Sequence, residues 1–444
     1  MTNKLTRTVL AAYSGITIPM AAMGMPIAVY LPRFYSEGMG LSLLTVGTVF
    51  FIARIWDVVT DPIMGVMIDK FDSRWGRRKH WIALSIPILL LSVWMVFMPN
   101  PEDVSGLYLM FWLILLYGGY TMLAISHQSW GVELSKSYDD RSRLFGWREI
   151  FVIGGMAVVL AIPAAMELSG HSEQATKVAS MGWFCLILFP LLAIPTLLWV
   201  PDSHNKPGVT IPWQEAFKVL LANRLMWRLL IADLAAGFGL GVSGALYIFI
   251  ATAYFELAEH ASIALLFYFV SGFLAMPLWL KLAYAVGKDN AMKVALLYMT
   301  AINLALLPLA ESGNVAVLWG FTILFGAGFG APPTLIRSMM ADISDEDELK
   351  TGQQRPGLFF ALLTTTNKLG AAFAVGASFT ILELAFNFVP GGDNDPVALQ
   401  GLLVTYSVGT ALGLFCAFLP LIAYPLNKSA HDEIRRQLDL PAQT

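Results

Sequence analysis

Residues 41–67 have the sequence LSLLTVGTVFFIARIWDVVTDPIMGVM, an almost uniformly apolar run. A helix needs about 20 mainly apolar residues to cross the hydrocarbon core of a bilayer, so this run is long enough to span one. It nevertheless contains Arg54, Asp57 and Asp61. Ionisable groups are costly inside a membrane and are usually kept there for function. The run therefore predicts a membrane-spanning helix that carries a buried polar site.

The rest of the chain has the same character. Of 444 residues, 57% are hydrophobic and 13% are charged, whereas soluble domains contain about 25% charged residues. The segments that qualify as spanning helices are 8–32, 41–67, 80–98, 106–133, 146–167, 180–200, 225–254, 262–285, 290–310, 314–341, 356–386 and 400–425. We predict an all-α membrane protein with six-helix bundles in 1–200 and 225–444, joined by a cytoplasmic linker at 201–224.

The positive charges test this count of twelve segments. With the N-terminus placed in the cytoplasm, 24 of the 28 Lys and Arg residues fall in cytoplasmic segments, and Arg33 and Lys177 fall outside. Such a bias is what the positive-inside rule requires. It predicts a multi-pass protein of the inner membrane with both termini in the cytoplasm. Outside the loops the sequence has no basic cluster with interleaved aromatic residues, so we expect no nucleic-acid partner.

The charged residues of segment 41–67 form the best candidate site. Arg54, Asp57 and Asp61 are three and four residues apart, so they share one helix face. Two carboxylates that close repel each other in low dielectric unless a proton or small cation joins them. Thr60 adds an oxygen, and oxygen ligands suit Na⁺, Li⁺ or H₃O⁺. Arg54 could instead neutralise one acid in interhelical packing, but the second acid would stay uncompensated. We predict a cation site.

Other polar residues lie deep in apolar segments. Lys368 needs an anionic partner. Either it pairs permanently with the acids of segment 41–67, or it pairs with them in one state and is displaced by cation or substrate in another; both interpretations stay open. Asp233, in the seventh segment, is a candidate for the substrate cavity. The fourth segment carries Tyr120, Thr121, His127 and Gln128. His127 could bind substrate or relay protons near neutral pH, although a single histidine near a helix end is more often a hydrogen-bonded packing residue.

Four stretches resemble one known family when they are taken together. They are RIWDVVTDPIMG (54–65), SRWGRRKHWI (73–82), VELSKSYDDRSRLFGWRE (132–149) and ADISDEDELKTGQQRPGLFFALLTTTNKLG (341–370). In this order and spacing, over nearly the whole chain, they resemble the glycoside–pentoside–hexuronide:cation symporters, whose best-known member is the melibiose carrier. The resemblance implies the major facilitator superfamily fold, with twelve transmembrane helices in two six-helix bundles, and cation-coupled sugar symport by alternating access.

The resemblance also assigns residues by motif. Asp57 and Asp61 match the paired aspartates of the family's cation site, and Thr121 matches a threonine that binds the cation. Arg148 and Lys368 match the arginine and lysine associated with the sugar and cation sites. A coupling ion, Na⁺ or H⁺, is implied, and Asp57 and Asp61 are the residues that could hold Na⁺. No other cofactor is implied.

The sequence departs from the melibiose carrier at informative positions. Thr60 replaces an asparagine, which leaves the choice between Na⁺ and H⁺ open. Two galactoside-binding aspartates are replaced by Ala21 and Ala124, and the tryptophan beside the second is replaced by Gln128. The cavity is therefore less acidic and retains Arg148. Because arginine binds carboxylate and sulfonate groups well, we expect an anionic sugar, such as a hexuronide or sulfonated sugar, rather than a neutral galactoside.

The cytoplasmic segments carry opposite charges in the two halves of the chain. The residues concerned are Asp69, Arg77, Arg78, Arg141, Asp342 and Asp345. They could form a latch that closes the cytoplasmic side in the outward-open state. The alternative is a set of solvated loops, in which each exposed ion pair contributes only about 0–1 kcal/mol.

Three other functions compete with sugar symport. A cation-coupled lipid or lysolipid transporter of the same fold is the nearest. A membrane enzyme would need a zinc motif, a nucleophile elbow or a phosphate-binding loop, and the sequence offers none of these. A channel would need a continuous polar pore, which the sparse charges do not supply. We therefore predict a symporter rather than an enzyme, surrounded by membrane lipid, acting as a monomer on a small sugar or glycoside.

Overall fold

The structure is a computed structural model of the chain. It describes residues 5–71, 73, 76–134, 138–170, 173–201, 223–351, 356–426, 430, 433–434 and 436–437. Within these ranges, the side chains of residues 69, 132, 138–142, 351 and 356–358 lie outside the description. The described residues are helical, apart from short connections and an isolated bridge between Ser73 and Gly76.

Twelve helices in the described residues are long and apolar enough to cross a membrane. Their bounds are α1 (Arg7–Gly15 and Thr17–Val29), α2 (Leu43–Lys70), α3 (Lys79–Phe97), α4 (Gly106–Leu134), α5 (Tyr138–Leu168), α6 (Gln174–Trp199), α7 (Arg224–Phe249), α8 (Ala261–Val286), α9 (Lys288–Leu309), α10 (Val315–Phe329 and Ala331–Thr351), α11 (Pro356–Phe386) and α12 (Pro396–Phe418). Shorter helical turns lie at Leu31–Arg33, Phe34–Gly38, Pro101–Asp103, Ile250–Tyr254 and Leu419–Leu421. The prediction of an all-α protein with twelve spanning helices is confirmed.

Short polar residues set where several helices begin. The side chains of Ser42, Asn223 and Asp395 accept hydrogen bonds from backbone N–H groups in the first turns of α2, α7 and α12. Such caps satisfy N–H groups that have no partner within the helix. At their other ends, some helices continue beyond the apolar sequence. α10 continues to Thr351, ten residues beyond its predicted end at 341, because polar residues outside the bilayer still form helix.

The chain forms two compact units. The first contains Met1–Val209, Ala258–Leu266 and Val389–Gly392, and within it α4 packs on α2 and α3 while α5 packs on α1. The second contains Thr210–Leu257, Phe267–Phe388 and Asp393–Thr444, and within it α7 packs on α11 and α12. The predicted linker at 201–224 lies largely outside the described residues, and the bundle boundaries placed on either side of it stay predictions.

Glycines let α7 approach its two neighbours backbone to backbone. A Cβ atom added to Gly413 of α12 would lie 2.5 Å from the backbone nitrogen of Gly239, and one added to Gly370 of α11 would overlap the carbonyl oxygen of Leu234. Helices in lipid associate through such close packing of small residues, since hydrophobic burial gives them little advantage there. α7 is accordingly well buried: 72% of its most apolar stretch is inside the protein, against 22% for α8.

We expect Gly413→Ala to lower the free energy of unfolding by about 1–3 kcal/mol, the usual effect of overpacking, because the new methyl group meets the backbone of α7. Gly244→Ala is the matched control, since no atom lies within 4 Å of the Cβ position at Gly244 on α7. Thermal unfolding of the two purified variants in detergent measures the difference. Equal unfolding temperatures would contradict the close packing of α7 on α12.

Candidate functional site

The candidate cation site centres on one hydroxyl group between two carboxylates. Thr121 Oγ1 lies 2.8 Å from Asp57 Oδ1 and 2.8 Å from Asp61 Oδ1. Asp57 and Asp61 share a face of α2 because they are one helical turn apart, and α4 places Thr121 opposite them. A hydroxyl has one hydrogen and donates it to one carboxylate at a time. At the carboxylate that does not receive this hydrogen, lone pairs of the hydroxyl and carboxylate oxygens face each other. That contact is favourable when a proton or a cation lies between the two oxygens.

Arg54 lies beside this group on α2. Its Nη1 atom is 3.4 Å from Asp57 Oδ2, and its guanidinium carbon is 4.4 Å from the centre of the Tyr117 ring. A cation over an aromatic face is attracted by the ring quadrupole, and more strongly where water is scarce. Tyr117, which the sequence analysis did not identify, therefore fixes the arginine. Its spacing of four residues from Thr121 on α4 was the available signal.

The oxygen atoms of this group fit a proton or a small alkali cation. Two carboxylates and a hydroxyl are hard ligands of the type that such cations prefer. The Thr60 hydroxyl donates to the carbonyl oxygen of Trp56 at 2.9 Å within α2. Its oxygen keeps its lone pairs, and its part in the cation site stays a prediction. The described residues contain no group of three or more His, Cys, Asp or Glu residues that could hold a metal ion.

His127 is fully buried in the first unit, where its ring stacks on that of Tyr13 at 4.0 Å. His127 Nε2 lies 2.8 Å from the Tyr13 carbonyl oxygen, and the Tyr13 hydroxyl donates to the His127 carbonyl oxygen at 2.7 Å. Because a carbonyl only accepts, Nε2 carries the hydrogen. These contacts favour the packing interpretation, and substrate binding by His127 stays a prediction. Of its neighbours on α4, Gln128 is exposed and Tyr120 is half-buried.

Arg148 lies on α5 beside the interruption of α1. The Thr17 hydroxyl, just after that interruption, lies 3.5 Å from the Arg148 carbonyl oxygen. Arg148 Nη1 is 3.7 Å from Glu149 Oε2, while its Nε atom is buried without a hydrogen-bond partner among the described residues. A buried donor left without a partner is uncommon in a folded protein and is often satisfied by a ligand or water. Arg148 is thus suited to bind an acceptor.

The second unit places Asp233 in a separate polar group. Asp233 Oδ2 accepts a hydrogen bond from the Thr366 hydroxyl at 2.7 Å, and Asn367 Nδ2 lies 3.5 Å from Asp233 Oδ1. The glycine contacts between α7 and α11 hold these residues together. Lys368, next in sequence, is half-buried. Thr366 and Asn367 were missed by the sequence analysis, although they belong to the run TTTNK that contains the lysine.

The predicted latch arginines of the first unit have a partner there that was not foreseen. Arg78 Nη2 lies 2.6 Å from Glu133 Oε1, and Arg77 Nη1 lies 3.9 Å from the same oxygen. Glu133 ends α4, so the two arginines attach the connection between α2 and α3 to that helix. The side chains of Asp69 and Arg141 lie outside the described part of the chain.

The predicted latch acids of the second unit are placed in a similar way. Asp342 Oδ1, on α10, accepts a charge-assisted hydrogen bond from Lys288 Nζ at 2.6 Å. Lys288 begins α9 and was counted in the sequence analysis only as a cytoplasmic charge. Asp345 is half-buried on the same helix. The latch itself stays a prediction.

Comparison with known proteins shows relatives over nearly the whole chain. The isoprimeverose transporter of Lactiplantibacillus pentosus is 25% identical over 90% of this chain and 85% of its own. The glucuronide carrier protein homolog of Escherichia coli (strain K12) is 22% identical over 94% of this chain and 92% of its own. The sodium-dependent lysophosphatidylcholine symporter 1 of Mus musculus is 19% identical over 94% of this chain and 85% of its own.

The fold is that of a solved transporter. The crystal structure of the nucleoside transporter NupG matches with a TM-score of 0.67 at 17% identity, covering 94% of this chain and all of the other. The profile of the family described as MFS/sugar transport protein matches residues 12–428. The predicted resemblance to the glycoside–pentoside–hexuronide:cation symporters is thereby confirmed. This chain belongs to the MFS/sugar transport protein family and is a multi-pass membrane protein with the major facilitator superfamily fold.

Proposed function

We propose that this protein is a secondary active transporter that couples the movement of a sugar or glycoside to Na⁺ or H⁺ by alternating access. The observation that carries the proposal is the Thr121 hydroxyl, 2.8 Å from a carboxylate oxygen of both Asp57 and Asp61. Family membership and the names of the relatives support a transporter rather than an enzyme. The bias of positive charges supports the inner membrane, with both termini in the cytoplasm.

The cation binds first at the two aspartates. It offsets their mutual repulsion, so the helices that carry them can adopt the arrangement that binds substrate. Asp57 retains Arg54 as a fixed positive partner at 3.4 Å, and Thr121 turns its single hydrogen toward whichever carboxylate still accepts it. By reciprocity, substrate raises the affinity for the cation by the same factor, typically about 1–3 kcal/mol in such couplings.

We favour an anionic sugar as the substrate. The buried Nε atom of Arg148 is a donor without a hydrogen-bond partner among the described residues. A carboxylate or sulfonate group would accept from it strongly. The positions of two galactoside-binding aspartates hold Ala21 and Ala124, so repulsion of an anion is reduced. The glucuronide carrier homolog among the relatives supports the same substrate class.

A cation-coupled lysolipid transporter is the second candidate. The mouse lysophosphatidylcholine symporter is similar over 94% of this chain, which supports this alternative on the same fold. A lysolipid also carries a phosphate that Arg148 could bind. The two candidate substrates differ in the groups that they present to the cavity. A sugar presents hydroxyl groups, whereas a lysolipid presents an acyl chain.

Asp57→Asn and Asp61→Asn should each abolish concentrative uptake while the protein still accumulates in the membrane, because the coupling cation loses a charged ligand. Uptake of a radiolabelled acidic sugar into cells or vesicles, driven by a Na⁺ or H⁺ gradient, measures this. Asp103→Asn is the control, since Asp103 is an exposed acid in the turn Pro101–Asp103. Normal accumulation by both site variants would overturn the coupling assignment.

Thr121→Val should lower the free energy of unfolding by about 1–3 kcal/mol, because the carboxylates lose their shared donor inside the protein. Thr121→Ser keeps the hydroxyl and should retain most of the stability. Thermal unfolding of the two variants in detergent, titrated with NaCl against choline chloride, separates loss of the donor from loss of cation binding. Serine as damaging as valine would contradict this prediction, because serine keeps the hydroxyl donor that valine lacks.

A thermal-shift screen tests the substrate class. Glucuronides and sulfonated sugars should raise the unfolding temperature of the purified protein in the presence of the coupling ion. Neutral galactosides should raise it less, and Arg148→Lys should weaken the response to acids, because lysine lacks the planar fork of donors. A rise in unfolding temperature with lysophosphatidylcholine would favour the second candidate, provided that the same concentration of added detergent leaves the unfolding temperature unchanged. Greater stabilisation by melibiose would defeat the anionic-sugar assignment.

A further inference from the structure

Glu167, near the end of α5, is a buried acid outside the candidate cation site. Its side chain is completely inaccessible to solvent, and Lys177 of α6 is 8% exposed by side chain. Lys177 Nζ lies 2.7 Å from Glu167 Oε1. The pair therefore joins α5 to α6 across the short connection between them. Both residues lie at the external ends of their helices in the proposed orientation.

Glu167 also binds the beginning of α8. The backbone N–H of Ser262 lies 3.1 Å from Oε1 and 3.0 Å from Oε2, and the N–H of Ile263 lies 3.2 Å from Oε2. The first N–H groups of a helix have no partner within the helix and are usually satisfied by a nearby capping residue. Here the acceptor is a carboxylate 95 residues earlier in the chain. Accordingly, Ala258–Leu266 is part of the first unit.

The charges make Glu167 the central member of this group. Lys177 contributes a full positive charge, and the N-terminus of a helix contributes about half of one. The carboxylate lies between them and offsets both. Without its charge, an ammonium group and a helix N-terminus would remain buried near each other, and the N–H groups would lose their acceptor. Without Lys177, by contrast, the helix N-terminus would still compensate the carboxylate.

We propose that Glu167 is a positioning residue that holds the first turn of α8 against the external ends of α5 and α6, and that external opening requires this contact to break. The inference rests on the proposed alternating-access function. α8 belongs to the last six helices, whereas α5 and α6 belong to the first six. When the first turn of α8 leaves, water replaces Glu167 as its acceptor, so the contact favours the closed arrangement without preventing opening.

Cysteine accessibility in intact cells tests the proposal without any substrate. Ala264, one turn into α8 and fully buried, is replaced by cysteine after Cys185 and Cys416 have been changed to alanine. Glu167→Gln should speed labelling of Cys at position 264 by an impermeant maleimide at least about tenfold, which corresponds to about 1.4 kcal/mol of lost preference for the closed arrangement. Glu167→Asp keeps the charge and should restore slow labelling in part.

The control is Glu102→Gln, which removes an exposed acid on the same side of the membrane, in the turn Pro101–Asp103. Labelling is normalised to the denatured protein, and the unfolding temperature is measured in parallel. A lower unfolding temperature in Glu167→Gln with labelling as slow as in Glu102→Gln would overturn the proposal and leave only a structural role.

Lys177→Met provides a second test if Glu167→Gln does not accumulate. It should speed labelling less than tenfold but measurably above the Glu102→Gln control, and labelling equal to that control would also overturn the proposal. Because no transport is measured, the outcome is separable from that of the coupling experiments. If labelling stayed slow in both Glu167→Gln and Lys177→Met while Asp57→Asn still abolished uptake, Glu167 would have no positioning role and the proposed symport would stand.

Discussion

Two carboxylates one helical turn apart, inside a span of apolar residues, impose the constraint on which the first unit depends. Their charges are tolerable only if neighbouring helices bring donors and positive charge to them. α4 does this with Thr121, and it also supplies the Tyr117 ring under Arg54. The packing of α4 on α2 is therefore part of the site rather than a neutral framework. A cation that enters between the carboxylates changes the balance of forces at that same interface.

Four acids of the first unit, two buried and two half-buried, differ in the donors that reach them. Glu133 and Glu167 each accept from a basic side chain at 2.6–2.7 Å, and each connects separate elements near a helix end. Asp57 and Asp61 share a neutral hydroxyl that carries one hydrogen. The firm charge-assisted bonds lie near helix ends, and the bond that a small ion can replace lies within the span. This distribution suits a protein whose ends alternately close while its centre exchanges ligands.

The features that depend only on neighbouring residues in the chain could be predicted from the sequence. The length and polarity of a segment identify a spanning helix, and fixed helical geometry places Asp57 and Asp61 on one face. Partners on other helices were not predictable from spacing, because helix rotation and register are set by side-chain packing. Glu133 and Lys288 were missed for that reason, and Thr121 was assigned only through the family's motifs. Helix ends were underestimated wherever helix continues into polar sequence, as α10 does.

The contact of α7 with its neighbours has a consequence for how such a transporter can acquire a new specificity. At Gly413 and Gly370 the neighbouring atom is backbone, so a rotamer change cannot make room for a larger side chain. Laboratory evolution should therefore find few accepted substitutions there. Variation in substrate range is better sought around Ala21 and Ala124, the positions in α1 and α4 that the resemblance to the melibiose carrier pairs with galactoside-binding aspartates.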